Sequence, residues 1–277
     1  MKRAVVLMLM AGCGGGGTSS PDAFSEVQKS LCDPTGPSGA RVGIKADGGF
    51  IGGEDAMISD NGAYIFVDSQ CHYWVSPTYY AQPTHTGTLT SEQAAQYGAR
   101  LHVGAWDALS REWQGEQASD SGQIIFDDSV HQVVCSGVCN AEFAPELPQP
   151  ILDMTDGLAI KDELWTAGVP AAGSLRALAY ASGPVAGDQV EVAWPLARPI
   201  SDFLRADDAH GTGRGEGVLV DDSADLAALR QLRAALPTYD PTIRVTSGGV
   251  SYHVYVRDSL PFEGANGLVP FSGALGQ

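Results

Sequence analysis

The sequence predicts an α+β fold, with antiparallel sheets carrying helices on one face, and three observations point there. Short apolar runs recur along the chain between clusters of turn residues, and several pairs of runs flank Asn-Gly, Asp-Asp or Gly-Gly. Glycine and proline, 34 and 16 of 277 residues, punctuate the chain too often for a helix bundle. Only a few segments between the runs combine helical periodicity with a start signal. With 44% hydrophobic and 18% charged residues, the chain has the composition of packed domains, and its length suits one large or two small ones.

The first unit is expected over residues 40–145. Arg41-Val42-Gly43-Ile44 reads as a strand, followed by the glycine-rich turn Gly48 to Gly53. Asn61-Gly62 separates Ala56-Met57-Ile58 from Tyr64-Ile65-Phe66-Val67, the pattern of a tight hairpin. Pro77 to Pro83 is a loop. Thr90-Ser91-Glu92-Gln93 has the form of a capping box, with Leu89 placed to pack on Ala94, and predicts a helix to about Val103. Trp106 and Trp113, seven apart with Leu109 between them, fit a buried helical stripe. A second hairpin is expected from Gln123-Ile124-Ile125-Phe126, the turn Asp127-Asp128-Ser129, and Val130 to Val134. Pro145, Pro148 and Pro150 mark residues 146–173 as a linker holding one short helix near Gly157 to Thr166.

The second unit, 174–277, follows a similar order. Leu175 to Ala181 and Gln189 to Trp194 read as strands around Gly183 to Gly187. Asp222-Ser223-Ala224-Asp225 starts a helix whose Leu226, Leu229, Leu232 and Leu236 form one stripe, stopped by Pro237. Ile243 to Thr246, Ser247-Gly248-Gly249 and Ser251 to Val256 complete a hairpin. Ala46 to Gly52 matches Ala181 to Gly187 at an offset of 135, and Gly87-Thr88-Leu89-Thr90 matches Gly217 to Val220 at 130. The two halves are therefore candidates for an internal repeat of strand, strand, helix and hairpin.

The amino terminus has the build of an export signal: Lys2 and Arg3, the apolar run Ala4 to Met10, then small residues before Cys13. The run is too short to span a bilayer, which takes about 20 residues. Met10-Ala11-Gly12-Cys13 resembles the lipobox of bacterial lipoproteins, departing from it by Met10 where leucine is usual. That resemblance implies a cleaved signal peptide at 1–12, lipidation of the Cys13 thiol, and a membrane partner reached through the lipid. Gly14 after the cysteine points, on the same resemblance, to the outer membrane. Residues 13–31 would then be a lipid-anchored flexible tether, since Gly14 to Pro21 is too polar and flexible to fold.

Removing Cys13 leaves Cys32, Cys71, Cys135 and Cys139, an even number that predicts two disulfides in an exported protein. Three pairings are open. Ser136-Gly137 allows Cys135 to turn back on Cys139, and Cys32 with Cys71 would follow. On chain entropy the long loop would contribute roughly 4 kcal/mol and the short one roughly 2 kcal/mol. A four-cysteine zinc site is disfavoured by the spacings.

The formal charge of −17, or −19 once Lys2 and Arg3 are cleaved away, excludes a general nucleic-acid binder. No G-x-S-x-G elbow, H-E-x-x-H, P-loop or dinucleotide fingerprint occurs, and no residue is assigned catalysis, a metal or a cofactor. Asp207-Asp208-Ala209-His210 reads as a solvated loop, and Cys71-His72-Tyr73-Trp74 as a strand with His72 and Trp74 on one face. His131 and His253 read as exposed residues on the closing strands of the two hairpins. Asp127-Asp128 and Asp221-Asp222 are expected to satisfy backbone donors at turns and helix starts. Gly48-Gly49-Phe50-Ile51-Gly52 resembles the Ser-Gly-Gly-Phe-Ala-Gly run of emfourin-type metalloprotease inhibitors, with Asp47 and Ile51 departing. The expected role is a lipid-anchored binding or structural protein of the cell envelope with an envelope protein as partner; the second resemblance implies a periplasmic protease inhibitor as the alternative, and a hydrolase with a dispersed site is a third.

Overall fold

The computed structural model describes residues 30–32, 42–47, 63–76, 82–117, 122–128, 130–181, 191–204, 217–235 and 243–260. The fold is α+β, built on two sheets. The first contains β1 (Val42–Asp47), β2 (Ala63–Val67), β3 (His72–Val75), β4 (His85–Thr88), β5 (Glu112–Gln114), β6 (Gln123–Asp127), β7 (Gln132–Ser136) and β8 (Val169–Pro170). Its order is β5-β7-β6-β1-β2-β3-β4-β8, antiparallel throughout except for the parallel pair β5 and β7.

Alternation decides which face is covered. Val42 and Ile44, Ile65 and Val67, Tyr73 and Val75, Val133 and Cys135 all point into one core, every second residue along each strand. Three helices close that face: α1 (Ser91–Arg100), α2 (Gln149–Gly157) and α3 (Ile160–Ala167). The capping box at Thr90 forms as expected, its hydroxyl accepting from the Gln93 amide while Gln93 Oε1 accepts from the Thr90 amide. Leu89 and Ala94 are both buried beside it.

Helix α1 stops at Arg100, short of Val103, because His102 takes a left-handed conformation. Trp106 follows on a 3-10 turn, Val103–Ala108, and its indole donates to the Leu101 carbonyl left open by the helix end. Trp113 lies on β5, so the two tryptophans share no helix. The expected linker also differs. Pro148 is the N-cap of α2 and Pro150 sits in its first turn, where proline's missing N–H costs nothing, so 146–173 holds two helices. Ile151, Met154, Ile160 and Leu164 lie in the first core.

Strand β2 has β1 on one side and β3 on the other, so the partner of Tyr64 to Val67 is Val42 to Lys45. Both edges are filled, and the hairpin expected across Asn61-Gly62 with Ala56 to Ile58 is replaced by that pairing. Residues 56–58 and the turns at 48–53 and 183–187 lie outside the described residues.

The second sheet has the order β10-β12-β13-β9-β11, from β9 (Leu175–Ala181), β10 (Val192–Ala193), β11 (Val218–Val220), β12 (Ile243–Ser247) and β13 (Val250–Asp258). Helix α4 (Ser223–Ala234), capped by Asp222, lays Leu229 and Leu232 on its core with Leu226 partly buried beside them; Leu236 and Pro237 lie outside the described residues. The β12–β13 turn puts Gly248 and Gly249 both at positive φ, 60° and 79°, a conformation glycine adopts without strain. Strand β10 pairs in parallel with β12, not with β9.

The two sheets share strand directions around β1 and β9 but not connectivity. The hairpin strand beside β1 is the first of its pair, β6, whereas the one beside β9 is the second, β13. A copied unit would keep that order.

One buried carboxylate joins the two units. Asp258 Oδ2 accepts from the Thr84 amide at 2.9 Å and from Arg233 Nη1 at 2.8 Å. Thr84 itself is buried, its hydroxyl 2.6 Å from that of Tyr64 and its carbonyl accepting from the Ala171 amide. Removing one partner of such a pair leaves a buried charge, so Asp258→Ala is expected to cost about 3–5 kcal/mol in urea unfolding, with both sheets losing amide protection together.

Burial raises the Tyr73 phenol above its usual value, with Tyr97 adding to the shift; Tyr97 is raised too, by burial and then by Glu163. A phenol held neutral in the folded chain lends stability that is full below the unfolded pKa near 10 and is lost as the pH rises through the folded value. Lys161, lowered by burial, acts in the opposite sense, its contribution rising toward pH 10.5. The urea midpoint should fall less between pH 10 and 11.5 in Tyr73→Phe than in the wild type.

Candidate functional site

The face of the first sheet opposite its core carries an open groove of about 470 Å³ at the β5 end. Cross-strand register explains it. Glu112, Val134 and Ile125 lie in one row, and Gln114, Ser136 and Gln123 in the next. Ile125 and Val134 form an apolar floor, only 4% and 8% exposed although they lie outside the first core.

One wall is held by a chain of polar contacts. Arg111 Nη2 donates to Gln132 Oε1, and Gln132 Nε2 donates to Asp127 Oδ2, each at 3.2 Å. On the other side Gln114 Nε2 donates to the Ser136 carbonyl. The Trp113 indole turns away to the Ser110 carbonyl and its ring packs toward the core. The result is a slot that fits an apolar side chain, with amide and carboxylate groups at its rim.

The cysteines pair as the spacing favoured. Cys32 bonds Cys71 across 39 residues, and Cys135 bonds Cys139. The second bridge lies on the core side of β7, with both cysteines in the first core, while Ser136 inside its loop lines the groove on the other face. Gly115, next to β5, comes so close to the Val138 carbonyl that a Cβ there would collide with it. The Glu116 and Val138 backbones then bond to each other.

The other residues singled out in the sequence are dispersed. Cys13, the 207–213 loop and the Gly48 to Gly52 run lie outside the described residues. His72 is exposed and pairs with Asp68, with Trp74 edge-on to it, while Tyr73 is buried and donates to the Leu164 carbonyl. His131 sits in the turn before β7, where Asp128 accepts from its backbone N–H and faces its ring. His253 is on β13 but half-buried, stacked on Tyr180, so neither histidine is an exposed strand residue. Asp128 and Asp222 satisfy backbone donors as expected. The described residues hold no group of three or more His, Cys, Asp or Glu able to bind a metal ion.

Sequence reasoning missed the groove. Ile124-Ile125-Phe126 and Val133-Val134 are unbroken apolar runs, a sign that both sheet faces are covered, and that sign was available. No protein family, no curated protein and no solved structure matches this chain.

The short bridge lies in the first core, directly behind the end of β7 that lines the groove. The double variant Cys135→Ser, Cys139→Ser is expected to lose about 2 kcal/mol of stability and to speed hydrogen exchange mainly over residues 112–117 and 135–139. Uniform loss of protection would show that the bridge braces the whole sheet instead.

Proposed function

We propose that this protein is an exported lipoprotein, anchored through Cys13 at the outer membrane, whose disulfide-braced body binds another protein of the cell envelope. The observation that carries this reading is the cysteine pairing. Cys32–Cys71 and Cys135–Cys139 consume all four later cysteines, which fits an oxidising compartment and leaves Cys13 for other chemistry. That fifth cysteine stands where the lipobox pattern has its acylated residue.

A tether would end before Leu31, one residue short of the expected 13–31, because Leu31 already packs in the first core. Leu31 is buried and its amide donates to the Ala94 carbonyl, while Cys32 is bonded to Cys71 in the turn before β3. Pull from an anchor would pass through this bridge directly into the first sheet. Two or more acyl chains hold a protein at a membrane, where one alone is marginal. Among the described residues no helix is long and apolar enough to cross a membrane.

Binding is favoured over hydrolysis because two of the groove's polar side chains are held in hydrogen bonds, Arg111 to Gln132 and Gln114 to the Ser136 carbonyl. They brace a surface. Cells given an alkyne fatty-acid analogue should label the wild-type protein in the membrane fraction, and Cys13→Ser should remain unlabelled and soluble in the periplasm. Label retained by Cys13→Ser, or wild-type protein found soluble with residues 1–12 attached, would overturn the anchor.

A further inference from the structure

We propose that β5 is a docking edge at which an extended, basic peptide segment of a protein partner adds as a further strand, seating a side chain at the rim of the adjoining groove. The inference rests on reading the chain as a binding protein, but not on its lipid anchor.

The backbone supplies the first argument. Strand β5 is the outermost strand of the first sheet. Its parallel ladder with β7 uses the Arg111 carbonyl, which accepts from Val134, and the Gly115 amide, which donates to the Ser136 carbonyl. Hydrogen-bonding direction alternates along a strand, so Trp113 also faces β7, and the N–H and C=O groups of Glu112 and Gln114 point away from the sheet. Among the described residues, none bonds to these outward groups. They form a ready ladder for one more strand.

The groove supplies the second. A strand added beside β5 would lie about 4.8 Å away, with every other side chain on the groove face. Such a side chain would lie next to Glu112 and Gln114 at the groove's outer rim, with Val134 one strand further in. Backbone pairing plus a slot for alternate side chains is the physical basis of strand addition.

Charge selects the occupant. Glu112 and Glu116 are exposed on the edge, and the chain as a whole carries −17. The nearby Arg111 keeps its charge while hydrogen-bonded to the neutral Gln132, so the two glutamates leave the edge net negative. A lysine or arginine on the added strand would lay its aliphatic stem along the outer rim of the groove and put its charge at Glu112. A second copy of this chain fits poorly, because two such edges would bring Glu112 and Glu116 of each against the other.

The test uses the full-length protein and three synthetic octapeptides: Ac-KVKVKVKV-amide, Ac-EVEVEVEV-amide, and the lysine peptide with every backbone nitrogen methylated. The lysine peptide is expected to bind and to slow hydrogen exchange at Glu112 and Gln114. The acidic and the methylated peptides should bind at least about tenfold more weakly. The methylated peptide keeps the charge and loses the N–H donors of both edges, so it separates strand addition from general attraction to an acidic protein.

Gln114→Pro removes one outward N–H at an edge position where proline is tolerated, and should weaken the lysine peptide. Should that variant not fold, Glu112→Lys decides, since it is expected to reverse the preference between the lysine and glutamate peptides. Equal binding of the methylated peptide, binding that leaves Glu112 and Gln114 unprotected, or an unchanged preference in Glu112→Lys would overturn the proposal. So would a concentration-dependent dimer that protects β5 without any peptide. Failure of lipid labelling would leave this outcome untouched.

Discussion

The Asp258 carboxylate is the point on which the architecture turns. Each sheet has its own helical cover and its own core, and apolar packing alone would let each form by itself. A carboxylate 4% exposed cannot be left without partners, because burial of a single charge is costly whatever surrounds it. Its partners come from both sides: the guanidinium of Arg233 on α4 and the Thr84 amide at the head of β4. Satisfying it therefore requires β13, α4 and β4 to be in place at once. Thr84 extends the requirement, since its hydroxyl meets Tyr64 on β2 and its carbonyl receives the Ala171 amide beyond β8. Such networks specify one arrangement more than they add stability.

The disulfides act at the opposite ends of this design. Cys32–Cys71 ties the start of the described body to the β2–β3 turn, far along the sequence, and so restricts the unfolded chain most. Cys135–Cys139 restricts little but shapes the end of β7 and, through Gly115 and Glu116, the course of β5. Both bridges lie in the first core, and the short one also fixes the strand end behind the groove. Their different loop lengths set how far each restricts the unfolded chain.

What the sequence made legible was local. The Thr90 capping box, the Asp222 cap, the Gly248-Gly249 turn and the β6–β7 hairpin each depend on residues within a few positions of one another, and each formed. That four cysteines form two disulfides was legible from their even number, whereas the choice among three pairings came only with the structure. Nothing local distinguishes Arg233 or Asp258 from other charged residues, since their burial is set by elements far apart in the chain. The order of strands was equally hidden: β2 takes β1 as its neighbour because both its edges are filled from elsewhere, which no turn motif reveals. Pro148 and Pro150 misled for a different reason, since proline breaks a helix interior but opens a first turn, and only the position of the N-cap separates the two cases.

The groove belongs to the same non-local class, and its position relative to the sheet edges gives it meaning. A sheet edge invites unwanted pairing, and chains blunt it by shortness, proline or charge. Strand β8 is two residues long and ends in Pro170, β10 is two residues long, and β11 leads straight into the capped start of α4. Strand β5 is three residues long and guarded by Glu112 on one face, with an apolar floor beside it that is not needed to close the first core. Charge at an edge repels most strands but selects those of opposite sign. A guard of that kind is also a filter, which distinguishes β5 from the other edges of these two sheets.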